Sequence, residues 1–275
     1  MKLNIILLLL IITIGFTECN KTDSSEFTDS PILESYLRPG DYGKINITRQ
    51  IPFSSNVKYS GDDINALSIE ISNNNVLYKL TPLGNGAYID SSLIIRENER
   101  YDVSFVYNNK NVSAYTKVPP KPTNFTQSTF SISMVKIDST SGTPDFSSMP
   151  DPVLLTWDNS DASYYIVVIE NMESTLVPIR NFGDVTPPGN RFRKAPTTSA
   201  EVVIRPMEFQ YFGKHRLILY HVLPDYASLY SQNQTSSQNL ANPSTSIING
   251  YGIFTGLNAD TLYINVNQYI PNTDK

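Results

Sequence analysis

Cysteine is almost absent from this chain: 275 residues contain one, Cys19. Disulfides need pairs, so a secreted disulfide framework is excluded. Histidine is nearly as scarce, with two, His215 and His221, in one strand-like segment. In an extended strand their spacing corresponds to roughly 20 Å. Zinc holds its ligand atoms at about 2.1 Å, so one ion cannot take both, and each reads as a partly buried strand residue. No G-x-S-x-G elbow presents a serine nucleophile. Gly250 and Gly252 precede a strand and not a helix, which excludes a dinucleotide-binding loop. Asp158, Ser160 and Asp161 lack the spacing and the closing glutamate of a calcium loop, and read as a strand-connecting turn. The expectation is a non-enzymatic protein with no metal and no cofactor.

Charge of one sign is not concentrated anywhere. Lys and Arg number 21 against 26 Asp and Glu, for a net charge of −5. The densest basic group is Arg191, Arg193 and Lys194. Phosphate backbones need a concentrated basic face, so nucleic acid is excluded as a partner. Glycine (13) is rarer than proline (18), whereas Tyr (17) and Phe (12) are plentiful. Together with many short Val/Ile/Tyr segments, this composition points to an all-β chain.

The one long apolar run lies at the N-terminus. Lys2 precedes an apolar stretch of about 14 residues, too short to span a bilayer and of the length of a secretion signal. Cys19 follows at once and reads as a lipid attachment point, so residues 1–18 are expected to be a lipoprotein signal peptide. The usual processing pattern has an aliphatic residue three before the cysteine and a small one immediately before it. Here those places hold Phe16 and Glu18, and a cut after Thr17 remains an alternative. Residues 19–30 are polar and acidic and read as a flexible stalk.

Residues 31–119 carry period-two alternation and are expected to form an immunoglobulin-like sandwich. Leu67, Ile69 and Ile71 share one face of a strand; Tyr101, Val103, Phe105 and Tyr107 share one face of another. Asn73-Asn74-Asn75, Gly84-Asn85-Gly86 and Asn108-Asn109-Lys110 are tight-turn signals. Pro119, Pro120 and Pro122 mark a stiff linker over residues 120–125. Residues 126–275 are expected to form a fibronectin-type-III-like sandwich. In it, residues 153–157 and 164–169 pair around the turn at 158–161, and Trp157 fills the core. Tyr226, Leu229 and Tyr230 match one helical turn. Residues 247–254 read as a C-terminal hairpin with Asn249-Gly250 at its turn. Phe209, Tyr211 and Phe212, between two strands beside Gly213, are the candidates for an exposed aromatic contact with a ligand or partner.

The order of these signals resembles a family of Bacteroidota lipoproteins, domain of unknown function 4249. The resemblance rests on the leader ending in Cys19, on Tyr101-x-Val103-x-Phe105, and on the stretch from Val112 through Ala114, Thr116 and Val118 to Pro119. Asn249, Gly250, Gly252 and Phe254 loosely match the family's late glycine-containing element. The resemblance covers about residues 37–266. It implies an outer-membrane lipoprotein, lipidated at Cys19, with no assigned enzymatic activity and often encoded beside a TonB-dependent receptor. Phe16 and Glu18 depart from the family's pattern. The expected function is therefore a binding or accessory component of a TonB-dependent uptake system. A carbohydrate-binding surface module and a structural adhesin are the alternatives; the former requires Phe209, Tyr211 and Phe212 to be exposed.

Overall fold

The computed structural model describes residues 29–50, 62–138, 149–181, 189–232 and 245–269. The leader, Cys19 and most of the stalk lie outside the described residues, as does most of the Ser/Gln/Asn-rich segment before residue 245. From Ser30 onward the described residues belong to one compact unit, and its fold is all-β, built as sandwiched sheets. No helix among them is long and apolar enough to cross a membrane.

Alternation of apolar and polar residues sets the local structure. In β7 (Arg100–Tyr107) the side chains of Tyr101, Val103, Phe105 and Tyr107 are buried, while those between them are not. The asparagine turns form as the sequence predicts. β3 (Glu70–Asn73) and β4 (Val76–Lys79) meet at Asn73 and Val76, leaving Asn74 and Asn75 at φ 49° and 64°. β7 and β8 (Lys110–Lys117) are joined through Asn108 and Asn109 at φ 46° and 59°. Two successive left-handed residues match the twist of a two-residue hairpin, and asparagine tolerates that region better than most residues.

Two hydrophobic cores result. In the first, Leu33, Ile45, Ile47 and Tyr88 face Ile71, Val103, Phe105 and Val112 of the four-stranded sheet β4-β3-β7-β8. In the second, Val167, Ile169, Leu217, Leu219 and Ile264 face Leu155, Trp157 and Ile204, which belong to a three-stranded sheet and its flank. Trp157 is buried, with Tyr165 at 5.4 Å and Phe125 at 6.4 Å between ring centroids.

A single nine-stranded sheet contributes to both cores. Its central member is β18 (Tyr251–Tyr269), a strand of 19 residues. Residues 251–256 pair in parallel with β1 (Pro31–Leu37). Residues 257–266 then pair antiparallel with β17 (Gly213–Val222), and 265–269 pair in parallel with β10 (Ser131–Val135). β10 and β17, both within residues 126–275, therefore flank the same strand as β1.

Three local expectations are corrected here. Residues 247–254 form no hairpin: Ile248 makes a bridge to Ser113, and Asn249 Nδ2 donates to Asn111 O at 2.8 Å. What replaces the hairpin is the approach of β1. Gly252 has φ +100°, and a Cβ there would lie 2.1 Å from Leu33 O, so only glycine admits this crossing. Nor do β12 (Val153–Thr156) and β13 (Tyr164–Asn171) pair with each other. β12 pairs with β16 (Glu201–Ile204), whereas β13 pairs with β17, so the 158–161 turn passes between sheets. The long run in β13 explains this placement, since residues 165–169 are buried on both faces, which requires a central strand. Third, Phe209, Tyr211 and Phe212 are buried and not exposed.

The proline-bearing stretch between the cores is held by β18. Asn258 Nδ2 donates to Pro119 O at 3.1 Å and to Glu97 Oε2 at 3.0 Å. Lys121 N donates to the same Glu97 oxygen, and Lys121 Nζ pairs with Asp260 at 2.9 Å. Gly256 N donates to Thr116 Oγ1 at 2.8 Å. His221 closes the seam, with Nδ1 3.0 Å from Pro120 O and its ring stacked on Tyr165 at 4.7 Å.

Candidate functional site

Phe209, Tyr211 and Phe212 do not form an exposed platform. All three are buried, and Phe209 meets His215 edge-on at 5.2 Å. The segment is apolar because it closes the second core beside β17; exposure would leave large aromatic area in water. The requirement attached to the carbohydrate-binding alternative therefore fails at these residues.

His215 and His221 are also buried, and burial lowers the pKa of each below its ordinary value. Each is engaged through Nδ1 with a backbone carbonyl, of Gly213 and Pro120 respectively. The Asp158 carboxylate accepts from Thr123 Oγ1 and Asn124 Nδ2, while Asp161 accepts from the Ser163 amide and hydroxyl. These carboxylates cap loops. Among the described residues no group of three or more His, Cys, Asp or Glu is placed to hold a metal ion.

The structure brings together a different set. Along β1 the side chains of Leu33, Ser35 and Leu37 turn inward, so Glu34, Tyr36 and Arg38 emerge on the opposite, outer face. Alternation in β13 and β17 likewise puts Ile166, Val168, Tyr220 and Val222 outward, away from the second core. β15 (Arg191–Arg193) pairs with β13 in the register Arg193↔Val168, adding two guanidinium groups at the sheet edge. Because β15, β13, β17, β18 and β1 are consecutive neighbours, these side chains other than Glu34 line one cleft of about 230 Å³.

Ile166, Val168, Val222 and Leu257 supply apolar lining. Tyr36, Tyr220, Tyr226, Arg38, Arg191 and Arg193 supply the polar groups. Arg191 Nη2 donates weakly to the Tyr220 hydroxyl at 3.5 Å, and the Arg38 guanidinium lies 6.0 Å from the Tyr220 ring centroid. Tyr36 and Tyr226 meet edge-on at 5.8 Å. Tyr226 is delivered by the helix Pro224–Gln232, which is tied to β18 through Thr255 Oγ1 donating to Asp225 Oδ1 at 3.1 Å. Burial raises the Asp225 pKa.

The electrostatics of this cleft run against the net charge of the chain. Arg38, Arg191 and Arg193 form no ion pair with a carboxylate among the described residues. Glu170, opposite Arg191 in the ladder, is engaged instead by Arg216 at 2.7 Å. Glu34 is the acidic neighbour at the β1 wall, where it accepts a hydrogen bond from Tyr36. Burial, reinforced by the Glu34 charge, pushes the Tyr36 phenol up to about 12, so it stays a neutral donor. A half-enclosed cleft with three guanidinium groups and phenol donors is suited to hold an anion.

Sequence reasoning noticed two parts of this set without joining them: the Arg191/Arg193 cluster and the helical turn bearing Tyr226. Tyr36, Arg38 and Tyr220 carried no motif. Their convergence depends on β1 and β17 flanking the same strand, a pairing more than two hundred residues apart in sequence for β1. No family model matches the chain, and no curated protein matches it.

Proposed function

We propose that this chain is a lipid-anchored, non-enzymatic binding component of the bacterial outer membrane, accessory to a TonB-dependent uptake receptor. Its anchor is Cys19, and its working surface is the Tyr36/Arg38/Arg191/Arg193/Tyr220/Tyr226 cleft. The membrane and receptor parts of this reading rest on the leader sequence and on the resemblance to domain of unknown function 4249. The binding part rests on one observation. Three guanidinium groups converge on a cleft of about 230 Å³ and form no ion pair among the described residues. All three residues are exposed, so their forked donors stay open to an anionic group.

The test uses the full-length tagged protein in its native membrane. Extraction in mild detergent is expected to co-purify a TonB-dependent receptor, and metabolic palmitate labelling is expected to mark the chain in a Cys19-dependent manner. A freely soluble native protein with an unmodified thiol overturns the reading. So does intact membrane-bound protein that never retains a receptor. A deletion strain defective in attachment and normal in uptake would favour the adhesin alternative.

A further inference from the structure

We infer that the cleft takes a small multivalent oxyanion: a hydrophilic molecule carrying two or more negative charges on phosphate or carboxylate groups. The inference deepens the proposed binding role by naming the ligand class, and it rests on that reading only in taking the cleft to be a binding surface.

The lining decides the polarity of the occupant. Ile166, Val168, Val222 and Leu257 line the cleft, but they are only 2%, 1%, 2% and 4% exposed. What a ligand meets is therefore polar: the guanidinium groups of Arg38, Arg191 and Arg193, with Tyr36, Tyr220 and Tyr226 between them. An apolar part of a ligand would find almost no apolar surface to cover, and hydrophobic burial scales with the area removed from water.

Charge decides its sign and number. No carboxylate lines the cleft, and the three guanidinium groups form no ion pair among the described residues. The two acidic neighbours are engaged, Glu34 by Tyr36 and Glu170 by Arg216. Positive charge stands on both sides of Tyr220. Arg191 Nη2, on the edge strand β15, lies 3.5 Å from its hydroxyl, and the Arg38 guanidinium, just past the end of β1, lies 6.0 Å from its ring centroid. Arg193, beside Arg191 on the same strand, comes near enough to β1 for its charge to act on the Tyr36 phenol. A singly charged ion seated at one wall leaves the other unanswered. An anion with two charged heads meets the forked donors of both.

Size limits its length. Drug-sized ligands occupy pockets of about 300–1,000 Å³. A cleft of about 230 Å³ lies below that range. A long polyanion would also run on from the cleft over a chain of net charge −5, which repels it. A compact polyanion gains the attraction of the arginines without that repulsion.

Isothermal titration of the purified full-length protein with pyrophosphate and with citrate tests the inference, at one low ionic strength and without divalent cations. Acetate is the singly charged comparator. Saturable binding of at least one polyanion is expected, at least about tenfold tighter than acetate. Preference for pyrophosphate assigns a phosphate-bearing ligand, preference for citrate assigns a polycarboxylate, and equal binding supports the chemistry they share. The paired substitution Arg191→Gln with Arg193→Gln is expected to weaken binding about tenfold, and Arg38→Gln about threefold, at an unchanged thermal midpoint. Lys79→Gln removes a charge from an exposed β4 residue that does not line the cleft, and is expected to leave affinity unchanged. Should the edge strand fail to fold in the paired variant, Arg38→Gln alone decides. Four results overturn the inference: no saturable binding of either polyanion, acetate binding as tightly, full affinity in folded variants lacking these arginines, or an equal loss in Lys79→Gln. Receptor co-purification without polyanion binding would sink this ligand class alone. Polyanion binding without any receptor would sink the accessory role alone.

Discussion

Asn258 donates to Glu97 across 3.0 Å, joining the middle of the last strand to the turn that precedes β7 in the first sandwich. The same amide also donates to Pro119 O, so one buried side chain secures both the turn and the start of the proline stretch. Removing it leaves the Pro119 carbonyl and the Glu97 carboxylate each short of a donor. Asn258→Ala is therefore expected to cost about 2–3 kcal/mol in denaturant unfolding. In the parent protein, Trp157 fluorescence and far-UV circular dichroism are expected to report one coincident transition, because β18 is needed by both cores. Two separated transitions in the parent would show that the shared strand does not couple them.

Gly256 lies two residues earlier, where β18 passes the end of the first sandwich. A Cβ there would sit 2.6 Å from Val118 Cα and 2.8 Å from Lys117 O, both backbone atoms that have no rotamer to escape into. Gly256→Val is expected to destabilise by about 3 kcal/mol, at the upper end of ordinary overpacking. A chemical denaturation midpoint within error of the parent would contradict the close approach.

Trp157 fills the second core while its indole Nε1 is buried and unpartnered among the described residues. An unmet donor carries a desolvation cost of about 1–3 kcal/mol, which offsets part of what the ring contributes. Trp157→Ala is expected to cost about 3–5 kcal/mol, and Trp157→Phe markedly less, about 1–2 kcal/mol. The comparison is made by circular dichroism, since both variants lose the fluorophore. Equal costs for the two would mean that the indole N–H has a partner.

Burial lowers the pKa of both His215 and His221 in the folded protein. Between the lowered values and the ordinary histidine value near 6.5, the unfolded chain binds more protons than the folded one. Stability is therefore complete above about 6.5 and falls as pH drops below it. Unfolding free energies measured at pH 7.5 and pH 5 should show this loss. Replacing both histidines by glutamine should flatten the pH dependence over that window, whatever it does to absolute stability. A slope that persists unchanged in the double variant would assign it to other groups.

Local elements were legible wherever a short-range rule decided them. Asn74-Asn75 and Asn108-Asn109 turn the chain because asparagine accepts the left-handed region, and the alternation of Tyr101, Val103, Phe105 and Tyr107 assigns a buried face without reference to any neighbour. The same rules misread Asn249-Gly250. An Asn-Gly pair favours a hairpin only when the following strand is free to fold back, and here that strand is taken by β1 and β17. Phe209, Tyr211 and Phe212 were misplaced for a related reason. Aromatic content says that a segment prefers contact, and only packing shows whether a ligand or the protein's own core supplies it.

The amino-acid sequence by itself determined the all-β class, the asparagine turns and the inward faces of the strands, because each follows from backbone preference or period-two burial over a few residues. Only the tertiary structure decided that β18 serves both cores and that Tyr36, Arg38, Tyr220, Arg191 and Arg193 share a cleft. Strand pairing over such separations is chosen by the summed burial of whole sheets, with Gly252 and Gly256 permitting the close crossings. No local pattern encodes which distant edge a strand will meet.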